Sequence, residues 1–176
     1  MRRYEIVHLL ARRLAMKVGR VQAILSRLQE CHVVTSPGPL KSQPTELDEP
    51  EIVKLLIGLL GETGIASAPD ASKTFGDLTT GDGVRFDTLL SELLFGPPRQ
   101  VRHLIVRQSP AGVSVTVDNQ HLLFGEPPST RNASPAKIVP GEAITAIAAE
   151  LQGQSPESAD AIAEISKLHH TLRRLT

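Results

Sequence analysis

The chain has 176 residues, 40% hydrophobic and 22% charged, with a formal net charge of zero, one cysteine and no tryptophan. That length buries a core in one or two domains. No apolar run reaches the roughly 20 residues that span a bilayer, and no secretory hydrophobic region opens the chain. Aromatics, at 3%, are too few for a stacking platform on single-stranded nucleic acid. The lone Cys31 excludes an internal disulfide, as in a reducing cytoplasm.

The zero net charge hides an asymmetry. Residues 1–41 hold eight basic groups (Arg2, Arg3, Arg12, Arg13, Lys17, Arg20, Arg27, Lys41) against Glu5 and Glu30, a balance of +6; the remainder carries −6. A basic head on an acidic body points to an anionic partner for the head.

In chain order, residues 3–15 read as a first helix with Ile6, Leu9, Leu10 and Leu14 on one stripe. Met16–Gly19 breaks it, with Gly19 expected to supply the unusual backbone angle. Val18–Glu30 reads as a basic amphipathic helix with Val18, Val21, Leu25 and Leu28 on its apolar face, Gln22, Ser26 and Gln29 on a second face, and Arg20, Arg27 and Glu30 on a third. Cys31 is expected to end it as a small buried residue. Residues 35–47 form a loop or rudimentary wing. Asp48–Leu60 is apolar nearly all round, capped by Asp48 with Pro50 in its first turn, and is expected to be buried against several elements.

Glycines punctuate residues 61–83, which read as loop. Gly58, Gly61 and Gly64 lack the Gly-Lys-Ser/Thr of a phosphate-binding loop, and Asp77 and Asp82 lack the alternating acids of a calcium loop. Val84–Phe95 reads as a helix. Val101–Arg107, the alternating Val113–Asp118 and His121–Phe124 read as an antiparallel β-meander. Four prolines make 125–140 a linker. Gly141–Leu151 and Pro156–Leu175 read as helices, the last with a stripe of Ile162, Ile165, Leu168, Leu172 and Leu175 that either docks on the body or pairs with a second copy. The adjacent His169 and His170 point in different directions on a helix and make a poor metal pair.

The expected class is α+β: a head over 1–61 closed by helix 48–60, an α+β body over 62–125 with its meander at 101–124, a linker at 126–140 and C-terminal helices at 141–176. No Cys/His cluster has zinc spacing, and no serine or cysteine has an evident His and acid. The expectation is a non-enzyme without metal or cofactor.

The order helix, turn, basic helix, then Leu28-x-x-x-x-Val33-Val34 and a turn over 35–39 resembles the helix-turn-helix and winged-helix families across residues 3–36. That resemblance implies binding of double-stranded DNA, with helix 18–30 in the major groove. Arg20, Gln22, Ser26 and Arg27 would meet bases or nearby phosphates, while Arg2, Arg3, Arg12, Arg13 and Lys17 would hold the backbone. It implies a cytoplasmic, nucleoid-associated transcriptional regulator, acting as a homodimer or larger oligomer, or beside a second DNA-binding or transcription-machinery protein. The layout is also similar to phage small terminase subunits and to small proteins of prophages and gene-transfer elements, although the meander does not fit the all-helical core of a small terminase. A third reading is a protein-interaction module such as an antirepressor.

Overall fold

The computed structural model describes residues 1–36, 46–128 and 133–172, with side chains through Leu168. The chain runs α1 (Arg3–Arg13), α2 (Val18–Glu30), α3 (Glu49–Gly61), a 3-10 turn (Ile65–Ser67), α4 (Ala68–Gly76), α5 (Phe86–Phe95), β1 (Val101–Arg107), β2 (Gly112–Val117), β3 (Gln120–Gly125), β4 (Ala136–Pro140), α6 (Gly141–Leu151) and α7 (Pro156–Leu172). Helices and an antiparallel sheet of order β3-β2-β1-β4 make the class α+β.

The apolar helix α3 is central. Its start is a capping box: Asp48 Oδ1 accepts the Glu51 N–H at 2.8 Å, and the Glu51 carboxylate accepts the Asp48 N–H at 3.1 Å. Leu55, Leu56, Ile57 and Leu59 are buried because α2, α4, α5 and β1 all touch this helix. Glu51 also ties down the chain that leaves α2. Its carboxylate accepts the Thr35 N–H at 2.6 Å, while the Thr35 carbonyl accepts from Arg3 and Gln29, each at 3.2 Å. α3 is therefore tied both to α2 and, through Thr35, to Arg3 of α1. Of the expected wing, residues 37–45 lie outside the described residues.

Two segments differ from their sequence reading. Within 61–83, Ala68–Gly76 is helical. Pro69 suits a first turn, and Ala68, Ala71, Ser72 and Phe75 form a narrow stripe buried against α3. Gly61 makes that approach possible, since a side chain there would collide with the Phe75 ring. Within the supposed linker, Ala136–Pro140 is a strand paired antiparallel with β1. It lies at the sheet edge, where proline is tolerated because the outward N–H needs no ladder partner.

The β2–β3 hairpin turns on Asp118 and Asn119, at φ 49° and 65°, the two positive angles of a tight type I′ turn. One apolar core runs from Ile6 through α3 and the sheet to Ile147, so head and body share it. α7 is attached differently. Ala159 and Ala163 pack on Ala146 and Ala149 of α6, and the larger Ile162, Ile165 and Leu168 point outward, 40%, 55% and 60% exposed. The side chain of Leu172, and all of Leu175, lie outside the described residues, as do the side chains of His169 and His170.

Candidate nucleic-acid interface

The polar face of α2 begins at a four-residue turn, Leu14–Lys17. Ala15, at φ 52°, reverses the chain there, whereas Gly19 lies inside α2 and supplies no unusual angle. The Met16 N–H donates to the Ala11 carbonyl at 2.8 Å and the Ala15 N–H to the Arg12 carbonyl at 3.3 Å, so the last carbonyls of α1 are satisfied. At the far end His32 takes the left-handed position, φ 56°. Cys31 is exposed rather than buried, because the core face of α2 has turned away by that position.

α2 buries Val21, Ile24, Leu25, Leu28 and Gln29. Val18, expected on that face, is 36% exposed because it sits in the first turn, ahead of the core. Lys17, Gln22 and Ser26 are exposed. Arg27 is partly exposed and donates to Glu30, one turn on, at 3.0 Å. Arg2 is exposed beside α1, where its backbone N–H donates to the Glu5 carboxylate at 2.9 Å. Exposed Tyr4 packs against His8 at 4.1 Å between ring centroids, the planes tilted by 49°, and both line a groove with Val18, Gln22 and Ser26. The sequence reading did not single out this aromatic pair, although the i, i+4 spacing of Tyr4 and His8 places the two rings on one helix face.

The other expected contacts are engaged within the fold. Arg13 is largely buried: its Nε donates to Glu150 at 2.6 Å, Nη1 to Asp160 and Nη2 to the Pro156 carbonyl at 3.1 Å. The half-exposed Arg12 also donates to Glu150. Arg20 gives one Nη2 to both oxygens of Glu62, each at 2.9 Å, and Lys137 of β4 reaches the same carboxylate at 3.0 Å. Arg3 is spent on Thr35. The sequence pattern implies phosphate or base contacts for these arginines, but three of them pair with carboxylates of the acidic body. A buried carboxylate is costly unless paired and hydrogen-bonded, and these arginines meet that need.

The carboxylates were legible to different degrees. Glu150 falls three residues after Ile147 on the buried stripe of α6, a position where an acid demands a partner. Glu51 stands at the third position after Asp48, as in a capping box. Nothing in the pattern around Glu62 marks it.

These pairs set an acid sensitivity. Burial pushes the Glu62 carboxyl pKa up, but the hydrogen bonds from Arg20 and Lys137 outweigh it and leave it below the ordinary 4.5. Burial acts likewise on Glu51, and its bonds to Thr35 and Asp48 outweigh it. A carboxyl with a lowered folded pKa stabilises the fold above its unfolded pKa, and that contribution is lost as pH falls through the folded value. Urea denaturation across a pH series should therefore show stability falling below about pH 4.5. Glu62→Gln should be less stable at neutral pH and should flatten that acid limb.

Comparison of the chain with protein-family models, with curated proteins and with solved structures gives no match. Among the described residues, no three His, Cys, Asp or Glu converge as metal ligands, and no helix is long and apolar enough to cross a membrane. On the sheet, His121 lies 3.3 Å from both Ser114 and Thr116, and among the described residues no carboxylate bonds to it to orient the ring as a general base requires.

Proposed function

We propose that the protein binds double-stranded DNA through the exposed face of α2, as an oligomer or beside a second DNA-binding or transcription-machinery protein on the nucleoid. The observation that carries this reading is the tight α1–α2 turn, which starts a helix whose outer face is polar and exposed, with Lys17 at its start and Arg27, paired to Glu30, near its end. Gln22 and Ser26, on that face, match the hydrogen-bonding edges of bases. Arg2 and Lys17 suit phosphates, and Arg12 and Arg20 keep enough exposure to meet them while paired. Arg13 is a strut of the fold.

Salt-titrated binding to duplex tests the proposal. Lys17→Ala and Arg27→Ala should each weaken binding to all duplexes and reduce the salt slope by about 1. Gln22→Ala should lower discrimination at one base position by about 1–3 kcal/mol with little change in slope. Equal binding by wild type and all three variants would remove α2 from the interface. Sequencing of crosslinked DNA then separates roles: promoter sites indicate a regulator, and one site beside packaging genes indicates a terminase-like adaptor.

The engagement of Arg12, Arg13 and Arg20 with carboxylates favours a second reading, a protein-interaction module, because it leaves the head less cationic than its composition implies. Absence of duplex binding at low salt would favour it.

A further inference from the structure

α7 is inside out for a helix that ends its life on one body: alanines face α6, while Ile162, Ile165 and Leu168 face solvent. Three exposed apolar side chains at spacings of three within two helical turns mark an interface rather than scattered surface residues. Exposed Glu157 and Glu164 flank them.

The sheet offers a counterpart. Helices α3, α6 and, through the Phe86–Phe124 ring pair, α5 approach it from the side of Leu104, Val115 and Phe124. The opposite face is open among the described residues. Register aligns Leu123, Ser114, Ile105 and Ile138 in one row across all four strands. Ile138 is 67% and Leu123 43% exposed. The neighbouring rows of that face carry His121, Thr116 and His103 on one side and Arg107 on the other, where its guanidinium donates to the Pro110 and Glu126 carbonyls; no acidic residue falls within the rows themselves.

We infer that α7 of one copy docks across the open sheet face of a second copy. The apolar row meets the Ile162–Ile165–Leu168 stripe, and the acid-free, Arg- and His-bearing surround faces Glu157 and Glu164. The sizes agree: four strands span about 14 Å between outer strand axes, and the twelve residues 157–168 of a helix span about 18 Å. Pairing α7 with α7 would bring Glu164 near its own mate across the two-fold, and pairing sheet with sheet would oppose Arg107 and histidines. Helix on sheet avoids both. Such a contact uses two different patches, so it is heterologous and propagates into a ring or an open chain. It stands independently of DNA binding.

Sedimentation equilibrium over a concentration series tests it with variants at exposed positions, whose folding is checked by circular dichroism. Wild type should exceed monomer mass increasingly with concentration. Ile165→Asp, which spoils the helix patch, and Ile138→Asp, which spoils the sheet patch, should each be monomeric. An equimolar mixture of the two variants should form a species of twice the monomer mass and nothing larger, since one intact helix patch then meets one intact sheet patch. A monomeric wild type, association surviving in either variant, or a mixture that stays monomeric would overturn the inference.

Discussion

Arg13→Ala should cost the fold about 3 kcal/mol, a fall in Tm on the order of 10 °C for a chain of this size. Arg13 is 12% and Glu150 7% exposed in their side chains, so removing the guanidinium leaves a buried carboxylate with only the half-exposed Arg12 as partner, and takes the donor from Asp160 and from the Pro156 carbonyl. Burial alone would lower the Arg13 pKa, but the hydrogen bonds to Asp160 and Glu150 outweigh it and raise it. Its Nε, Nη1 and Nη2 serve three acceptors, one on α6 and two on α7. Lysine, with one nitrogen, should restore only part of the loss. Arg12→Ala should cost about 1 kcal/mol or less, because Arg12 is 47% exposed and leaves Glu150 still held by Arg13. Denaturant midpoints measure the contrast. Equal and small effects for both residues would return Arg13 to the surface and to the phosphate contact that its sequence position implies.

Gly141→Ala should be the most damaging addition of a single methyl, at about 3 kcal/mol or more. α6 begins directly after β4, and a Cβ at Gly141 would fall on the Val101 carbonyl, with the Arg102 carbonyl also in contact. Those obstacles are backbone of β1, so no rotamer change relieves them; α6 must lift from the sheet. The displacement would reach Glu150 at the far end of α6, and through it Arg13 and α1. Gly64→Ala is the control: its φ of 178° is ordinary extended backbone and nothing lies within 4 Å of the added atom. That change should stay within about 0.5 kcal/mol. Urea denaturation of the two variants decides it, and similar midpoints would contradict the packing of α6 on β1 described above.

Periodicity carried the apolar elements well. The stripe of α1 up to Leu10, the all-round apolar run of α3 and the valines of β2 are placed as buried without reference to the rest of the chain, whereas Thr116, on the outer face of β2, is buried between His103 and His121. What periodicity could not carry were contacts between distant segments. α4 is a helix because Gly61 leaves room for Phe75, and β4 is a strand because β1 offers an open edge. Neither partner is visible within a local window.

The same limit governs the candidate interface. Composition locates the arginines of the head, but only the fold shows that Arg12, Arg13 and Arg20 face Glu150, Asp160 and Glu62, from 42 to 147 residues away. The charge split between head and body is thus in part a set of cross-pairs. Lys17, Gln22 and Ser26 need no distant partner to be read as surface, so local pattern sufficed for them.

Amide hydrogen exchange of the full chain with and without duplex DNA at low salt tests the central proposal most directly. Slowed exchange is expected over the α1–α2 turn and the first turns of α2, residues 14–26, with the open sheet face and α7 unchanged at protein concentrations below self-association. Protection confined to the sheet or α7, or no protection anywhere in excess duplex, would contradict it.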